Sequence, residues 1–201
     1  MYPSLKLNVN PEGWRLFMRR KLDQRFTDFS QKVFRRDQYA CRFCGFKSEK
    51  HQEIINIDQN YFNNKASNLV TACGFCTQCF FIETAGAGGY GGGVLIYLPE
   101  ISQNHLNALC HILFMAMNNN TEYKESAQNA YRDLKSRSQI IEAELGESMH
   151  EPAQFGQSLI ESGERGVLAK EVFAPIRLLP SRAGFKMGIG NELDATPGIL
   201  E

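Results

Sequence analysis

No stretch of this 201-residue chain approaches the roughly 20 consecutive apolar residues that a membrane-spanning helix needs. The longest apolar runs, at 94–98 and 112–117, are far too short, so no direct membrane insertion is expected. The first 20 residues also lack an apolar core ahead of a small-residue cleavage site, which leaves no secretory signal and suggests a cytoplasmic protein. Net charge is missing as well. The 22 Lys and Arg balance 22 Asp and Glu, whereas a dedicated nucleic-acid binder carries a basic excess. Disorder and collagen-like repeats are excluded by 43% hydrophobic and 22% charged residues, close to the globular average. The length fits one domain, drawn here over 1–180, with 181–201 as a flexible tail.

The charge is nevertheless uneven. Residues 1–50 hold 12 Lys and Arg against 5 Asp and Glu, and the remainder holds 10 against 17. The basic front either meets an acidic partner or is neutralised by the rest of the fold, and the second reading is preferred.

Six cysteines stand at 41, 44, 73, 76, 79 and 110. Cys41 and Cys44 form one C-x-x-C pair, and Cys73 and Cys76 form a second, 28 residues further on. A C-x-x-C turn brings two thiolates to one side, and two such knuckles complete a tetrahedron around structural Zn²⁺. Four sulfur ligands leave no open position for water, which argues against catalytic zinc. A disulfide framework does not suit a chain without a secretory signal, and a redox motif would need only one pair. Cys79 remains either a spare thiol or an alternative ligand, and Cys110 reads as a buried, inert one.

The hydrophobic pattern predicts extended, loose residues at 1–10. A helix follows from Pro11 with Trp14, Phe17, Met18 and Leu22 on one face and Arg15, Arg19, Arg20, Lys21 and Arg25 mainly on the other. A second helix begins near Thr27 or Asp28 and carries Phe29, Val33 and Phe34. Residues 53–57 read as a strand, 61–68 as a loop, and 69–72 as the entry to the second knuckle. The glycine-rich 86–93 contains G-x-G-x-x-G, but a strand-like segment follows it instead of a helix, so a phosphate cradle is rejected. An apolar helix containing Leu106, Cys110 and Phe114 is placed at the core. Beyond it come a long amphipathic helix capped by Thr121 and stopped by Gly146, then shorter helical patterns at 153–161 and 164–173. Pro175 and Pro180 break the pattern.

Residues 34–81 resemble the HNH endonuclease family, the ββα-metal fold. The likeness rests on Arg36, Asp37 and Tyr39, on Cys41-x-x-Cys44-Gly45, on Asp58, on Asn68-Leu69-Val70 and on Cys73-x-x-Cys76. It implies an α+β fold, an HNH-like ββα zinc core flanked by amphipathic helices, with a mostly helical C-terminal half. The departures bear on activity. Gln59 stands where the family has its general-base histidine, and a carboxamide cannot take a proton near neutrality. Thr77 and Gln78 replace the metal-binding residues after the second knuckle. Asp58 and Asn68 alone make a poor Mg²⁺ site, and His51, His105 and His111 are misplaced as substitutes. No catalytic residue is therefore assigned.

The whole chain is similar to a subunit family of the Dot/Icm type IVB secretion coupling complexes of intracellular bacterial pathogens. That similarity implies a zinc-stabilised adaptor, a monomer within a hetero-complex, held at the inner membrane through its partners. It would bind the C-terminal extension of the coupling ATPase and help recruit exported effectors. A metal-dependent nuclease or an HNH-like nucleic-acid binder is the competing reading.

Overall fold

The computed structural model describes residues 3–119, 122–163, 166–168 and 173–183. The tail assigned to 181–201 lies mostly outside the described residues, as does the helix cap assigned to Thr121. Among the described residues no helix is long and apolar enough to cross a membrane.

Helices and small antiparallel sheets mix, giving the α+β class inferred from sequence. Strand β1 (Asn8–Val9) precedes helix α1 (Pro11–Arg20), whose N-cap Asn10 accepts a hydrogen bond from the Gly13 amide. Helix α2 (Gln24–Arg36) starts after Asp23, which caps it through the Arg25 amide, so the helix begins about a turn earlier than its apolar pattern suggests. Strands β2 (Gln52–Asn56) and β3 (Leu69–Cys73) pair antiparallel, Gln52 opposite Cys73 and Asn56 opposite Leu69. The short helix α3 (Gly74–Thr77) follows directly, completing a strand–strand–helix order. Strand β4 (Gly93–Tyr97) leads to α4 (Gln103–Asn118), then α5 (Lys124–Ser136), α6 (Ser138–Leu145) and α7 (Pro152–Glu161). Strand β5 (Gly166–Val167) pairs with β1, and β6 (Ile176–Pro180) pairs with β4.

The aromatic residues of α1 face the core. Phe17 is buried against Phe81, Tyr61 and Trp14 at centroid distances of 5.2, 6.1 and 5.6 Å. Met18 and Leu22, placed on that face from sequence, are exposed instead, Leu22 at 89%. The N-terminal segment is not loose, because Leu5, Leu7 and Val9 are buried and β1 has a partner strand. The long helix predicted after residue 121 is two helices. Its break falls at Arg137, whose guanidinium pairs with Glu100 at 2.9 Å and whose carbonyl accepts from the Tyr97 amide. Gly166 and Val167 are strand where a helical pattern was read. Ile176 to Pro180, read as a break, is a buried strand that closes on β4.

Gly93 shows why that closure needs glycine: at φ +156°, an added Cβ would lie 2.1 Å from the Leu179 carbonyl oxygen. Gly156, inside α7, is constrained differently. Replacing a helical glycine by alanine ordinarily gains up to about 1 kcal/mol. Here the new Cβ would meet the Glu83 backbone at 2.6 Å. We expect Gly156→Ala to destabilise the fold by about 1–3 kcal/mol in chemical denaturation, through overpacking; a gain would show that α7 is not seated on this turn.

Candidate metal centre

The first knuckle is a tight turn. Cys41 donates its amide to Phe46 O at 2.8 Å, Gly45 donates back to Cys41 O at 3.0 Å, and Gly45 sits at φ +79°, where glycine is unstrained. A bridge between Ala40 and Lys47 closes the loop. The second knuckle begins at the last residue of β3, Cys73, and ends one turn into α3 at Cys76. The intervening hairpin brings the two together, and the Arg42 amide, bonded to Thr71 O at 2.8 Å, fixes the first knuckle beside β3.

The Sγ atoms of Cys41, Cys44, Cys73 and Cys76 all lie within 4.8 Å of one another, so these four residues can hold a metal ion. Cys44 and Cys73 are 3.5 Å apart. Four sulfurs at about 2.3 Å from a central tetrahedral ion would stand roughly 3.8 Å apart, so the donor set fits such an ion. Cys41, Cys73 and Cys76 are buried, and Cys44 is half-buried. Burial opposes ionisation at Cys73 and Cys76 and pushes both thiols well above their ordinary value. At Cys41 burial acts the same way but is outweighed by hydrogen bonds from the other three thiols, which hold it well below. Four thiolates require the charge of a metal.

Helix α4 supplies the surroundings. His111 Nε2 lies 3.3 Å from Cys73 Sγ. The His111 ring is sandwiched between Phe46 at 3.8 Å and Phe75 at 4.4 Å. Burial pulls His111 down to about 3, so its imidazole is neutral. One turn earlier, Asn107 donates to Cys76 Sγ at 3.2 Å and to Phe75 O at 3.2 Å, while its carbonyl accepts from Gln103 at 2.9 Å. Gln103 in turn exchanges hydrogen bonds with the Leu178 backbone. A polar chain thus runs from β6 through α4 to the sulfurs. Such outer contacts orient ligands and moderate their charge. The sequence analysis weighed His111 only as a substitute base and did not single out Asn107; the available signal was this polar pair four apart on the buried face of α4. Cys79 stands outside the cluster, its thiol bonded to Phe75 O at 3.3 Å and pushed up to about 12 by burial. Cys110 is buried, and its thiol is also raised by burial.

The residues that carried the nuclease likeness have structural partners. Arg36 forks onto Asp37 at 2.9 and 3.1 Å and also reaches Ala66 O and Leu69 O, while Asp37 accepts from the Thr71 amide. The pair pins the end of α2 to the hairpin. Asp58 accepts from Asn63 at 2.7 Å, Asn68 at 2.8 Å and the Asn60 amide at 2.9 Å. Gln59 accepts from Asn8 at 2.5 Å, tying β1 to the hairpin loop. Gln78 is buried and accepts from the Gly92 amide, anchoring the glycine-rich loop between a 3-10 turn and β4. His51 and His105 are exposed.

Near this region Glu83 accepts from the Asn10 amide at 3.0 Å, its second carboxylate oxygen buried without a partner. Burial pushes Glu83 up to about 7. The folded state thus binds a proton that the unfolded state releases near 4.3, and stability falls as pH rises from about 4.5 through 7. We expect Glu83→Gln to raise the melting temperature at pH 8, by about 1–3 kcal/mol of stability, and to leave it unchanged at pH 4.5. Equal effects at both pH values would count against a protonated Glu83.

No family model matches the chain. It is 56% identical over 187 residues to the Type 4 apparatus protein DotN of Legionella pneumophila subsp. pneumophila (strain Philadelphia 1), covering 92% of this chain and 87% of that protein.

Proposed function

Since the chain belongs to the family of the Type 4 apparatus protein DotN, we propose that it is a non-catalytic, zinc-stabilised adaptor of a type IV secretion coupling complex. In this reading it binds the C-terminal extension of the coupling ATPase and helps assemble the platform that recruits effectors. It sits in the cytoplasm, peripheral at the inner membrane through its partners. The similarity over nearly the whole chain carries the proposal.

Zn²⁺ is the metal we assign to Cys41, Cys44, Cys73 and Cys76. Four thiolates select a soft, tetrahedral ion, and a closed site supplies structure without reactivity. Residues 1–180 form the single domain built around it, with the HNH-like core at 34–81. The hydrogen bonds at Asp58, Gln59 and Gln78 support the absence of catalysis. The one carboxylate at the family's catalytic position is engaged by two asparagine side chains and a backbone amide.

An affinity isolation of the tagged chain, with and without nuclease treatment, tests this reading. We expect the coupling ATPase in both samples. Loss of every partner after nuclease treatment would favour the nucleic-acid reading. In parallel, plasmid DNA with Mg²⁺ or Mn²⁺ should remain intact. Cleavage abolished by Asp58→Ala would contradict the non-catalytic assignment.

A further inference from the structure

Gln103 and Asn107 stand one turn apart on the buried face of α4, at 3% and 0% exposure. Both carboxamides are bonded at each end. Gln103 Oε1 accepts from the Leu178 amide at 2.9 Å, and Gln103 Nε2 donates to Leu178 O at 2.8 Å. One side chain thus meets the β6 backbone as a neighbouring strand would. The second hydrogen of Gln103 Nε2 goes to Asn107 Oδ1 at 2.9 Å. That bond leaves Asn107 one orientation. Its oxygen faces Gln103, so its Nδ2 faces Phe75 O and Cys76 Sγ, each at 3.2 Å.

The need to satisfy a buried strand edge accounts for Gln103. It does not account for where the relay ends, on a sulfur of the metal centre. A neutral thiol is a weak acceptor. A thiolate is a strong one, because hydrogen bonds to ionised acceptors are about twice as strong as neutral ones. The Asn107 donor therefore gains most when Cys76 holds a metal. Four thiolates around a divalent ion carry excess negative charge, and an N–H aimed at one of them offsets part of it. The same side chain turned over would present its carbonyl oxygen and repel the sulfur. Strand β6 decides which way it points. That strand is seated by its pairing with β4 and by Tyr131 Oη, which donates to Pro180 O at 2.9 Å.

We infer that Gln103 and Asn107 are positioning residues of the metal centre, a carboxamide relay through which the seating of β6 directs an N–H onto Cys76 and slows loss of the ion. Asn107 acts on the sulfur, and Gln103 acts only through Asn107. The inference rests on Zn²⁺ at the four cysteines and goes beyond it, since retention of the ion then depends on a strand that supplies none of its ligands.

The test measures Zn²⁺ affinity by chelator competition in the full chain, in Asn107→Leu, in Gln103→Met and in the double variant. The absorption of the Co²⁺-loaded chains is recorded alongside, with circular dichroism as the folding control. We expect an affinity loss of about 10–100-fold in Asn107→Leu. Gln103→Met should lose on the order of fivefold alone and nothing further when Asn107 is already leucine. Removing the N–H raises the energy of the sulfur lone pairs, so the sulfur-to-Co²⁺ charge-transfer band should move to longer wavelength in Asn107→Leu. General destabilisation lowers occupancy without moving the band. Asn107→Ser, which only shortens the side chain, takes the place of Asn107→Leu in every comparison if the leucine variant does not fold. Equal losses from Gln103→Met in both backgrounds, or an unshifted band, would overturn the relay and leave the Zn²⁺ assignment intact. A full chain that takes up neither ion would overturn both.

Discussion

With Zn²⁺ at the four cysteines as proposed, chelation, or replacing Cys41 or Cys76 by serine, is expected to unfold the ββα region and not merely soften it. In zinc-finger peptides, structural Zn²⁺ contributes about 10–16 kcal/mol near neutral pH. A whole domain has only roughly 5–15 kcal/mol of net stability. Here the four cysteines also organise their surroundings. Cys73 ends β3 and caps α3, and Cys73 and Cys76 meet His111 and Asn107 of α4. A chelator should therefore lower the melting temperature by tens of degrees or leave no cooperative transition, and restored Zn²⁺ should bring it back. By contrast, Cys110→Ser, at a buried thiol on α4 outside the cluster, should cost no more than about 1–3 kcal/mol, the ordinary penalty for a buried polar swap. A chelated protein that melts like the untreated one would show the four thiols to be dispensable.

The second large effect is expected at Arg20. Arg20→Ala removes a cation held by Asn56, Asn64 and Ile54 O and stacked among Phe17, Phe26 and Tyr61. It leaves Asn56 Oδ1 and the Ile54 carbonyl without that donor. Hydrogen bonds to charged groups are worth about 1.5–3 kcal/mol each, and breaking a buried charged network about 3–5 kcal/mol. We expect a loss of about 3–5 kcal/mol by urea denaturation. Arg19→Ala, one position earlier and exposed, should stay within about 0.5 kcal/mol. Equal effects at the two positions would contradict the burial that distinguishes them.

Arg20 also marks where reading the sequence stops. A pattern of apolar and charged residues sends every arginine of α1 to solvent, yet the groups that draw this one inward lie 34 to 44 positions away. Local signals served well. The two C-x-x-C spacings anticipated the sulfur cluster, the apolar run at 53–57 anticipated β2 to within a residue, and Leu106, Cys110 and Phe114 lie in the core as expected. Pairings of distant segments were not legible. Strand β1 meets β5 across about 160 residues, and β6, which follows Pro175 and ends on Pro180, offers only five residues of pattern where it closes on β4. His111 looked like any histidine on a core helix, because its meaning depends on a sulfur 38 positions earlier.

The most direct test of the account is native mass spectrometry of the purified chain, alone and with the coupling ATPase extension. The account expects one Zn²⁺ per chain, lost together with folding on chelation, and a one-to-one complex once the extension is added. A metal-free, folded chain that forms no complex would contradict it.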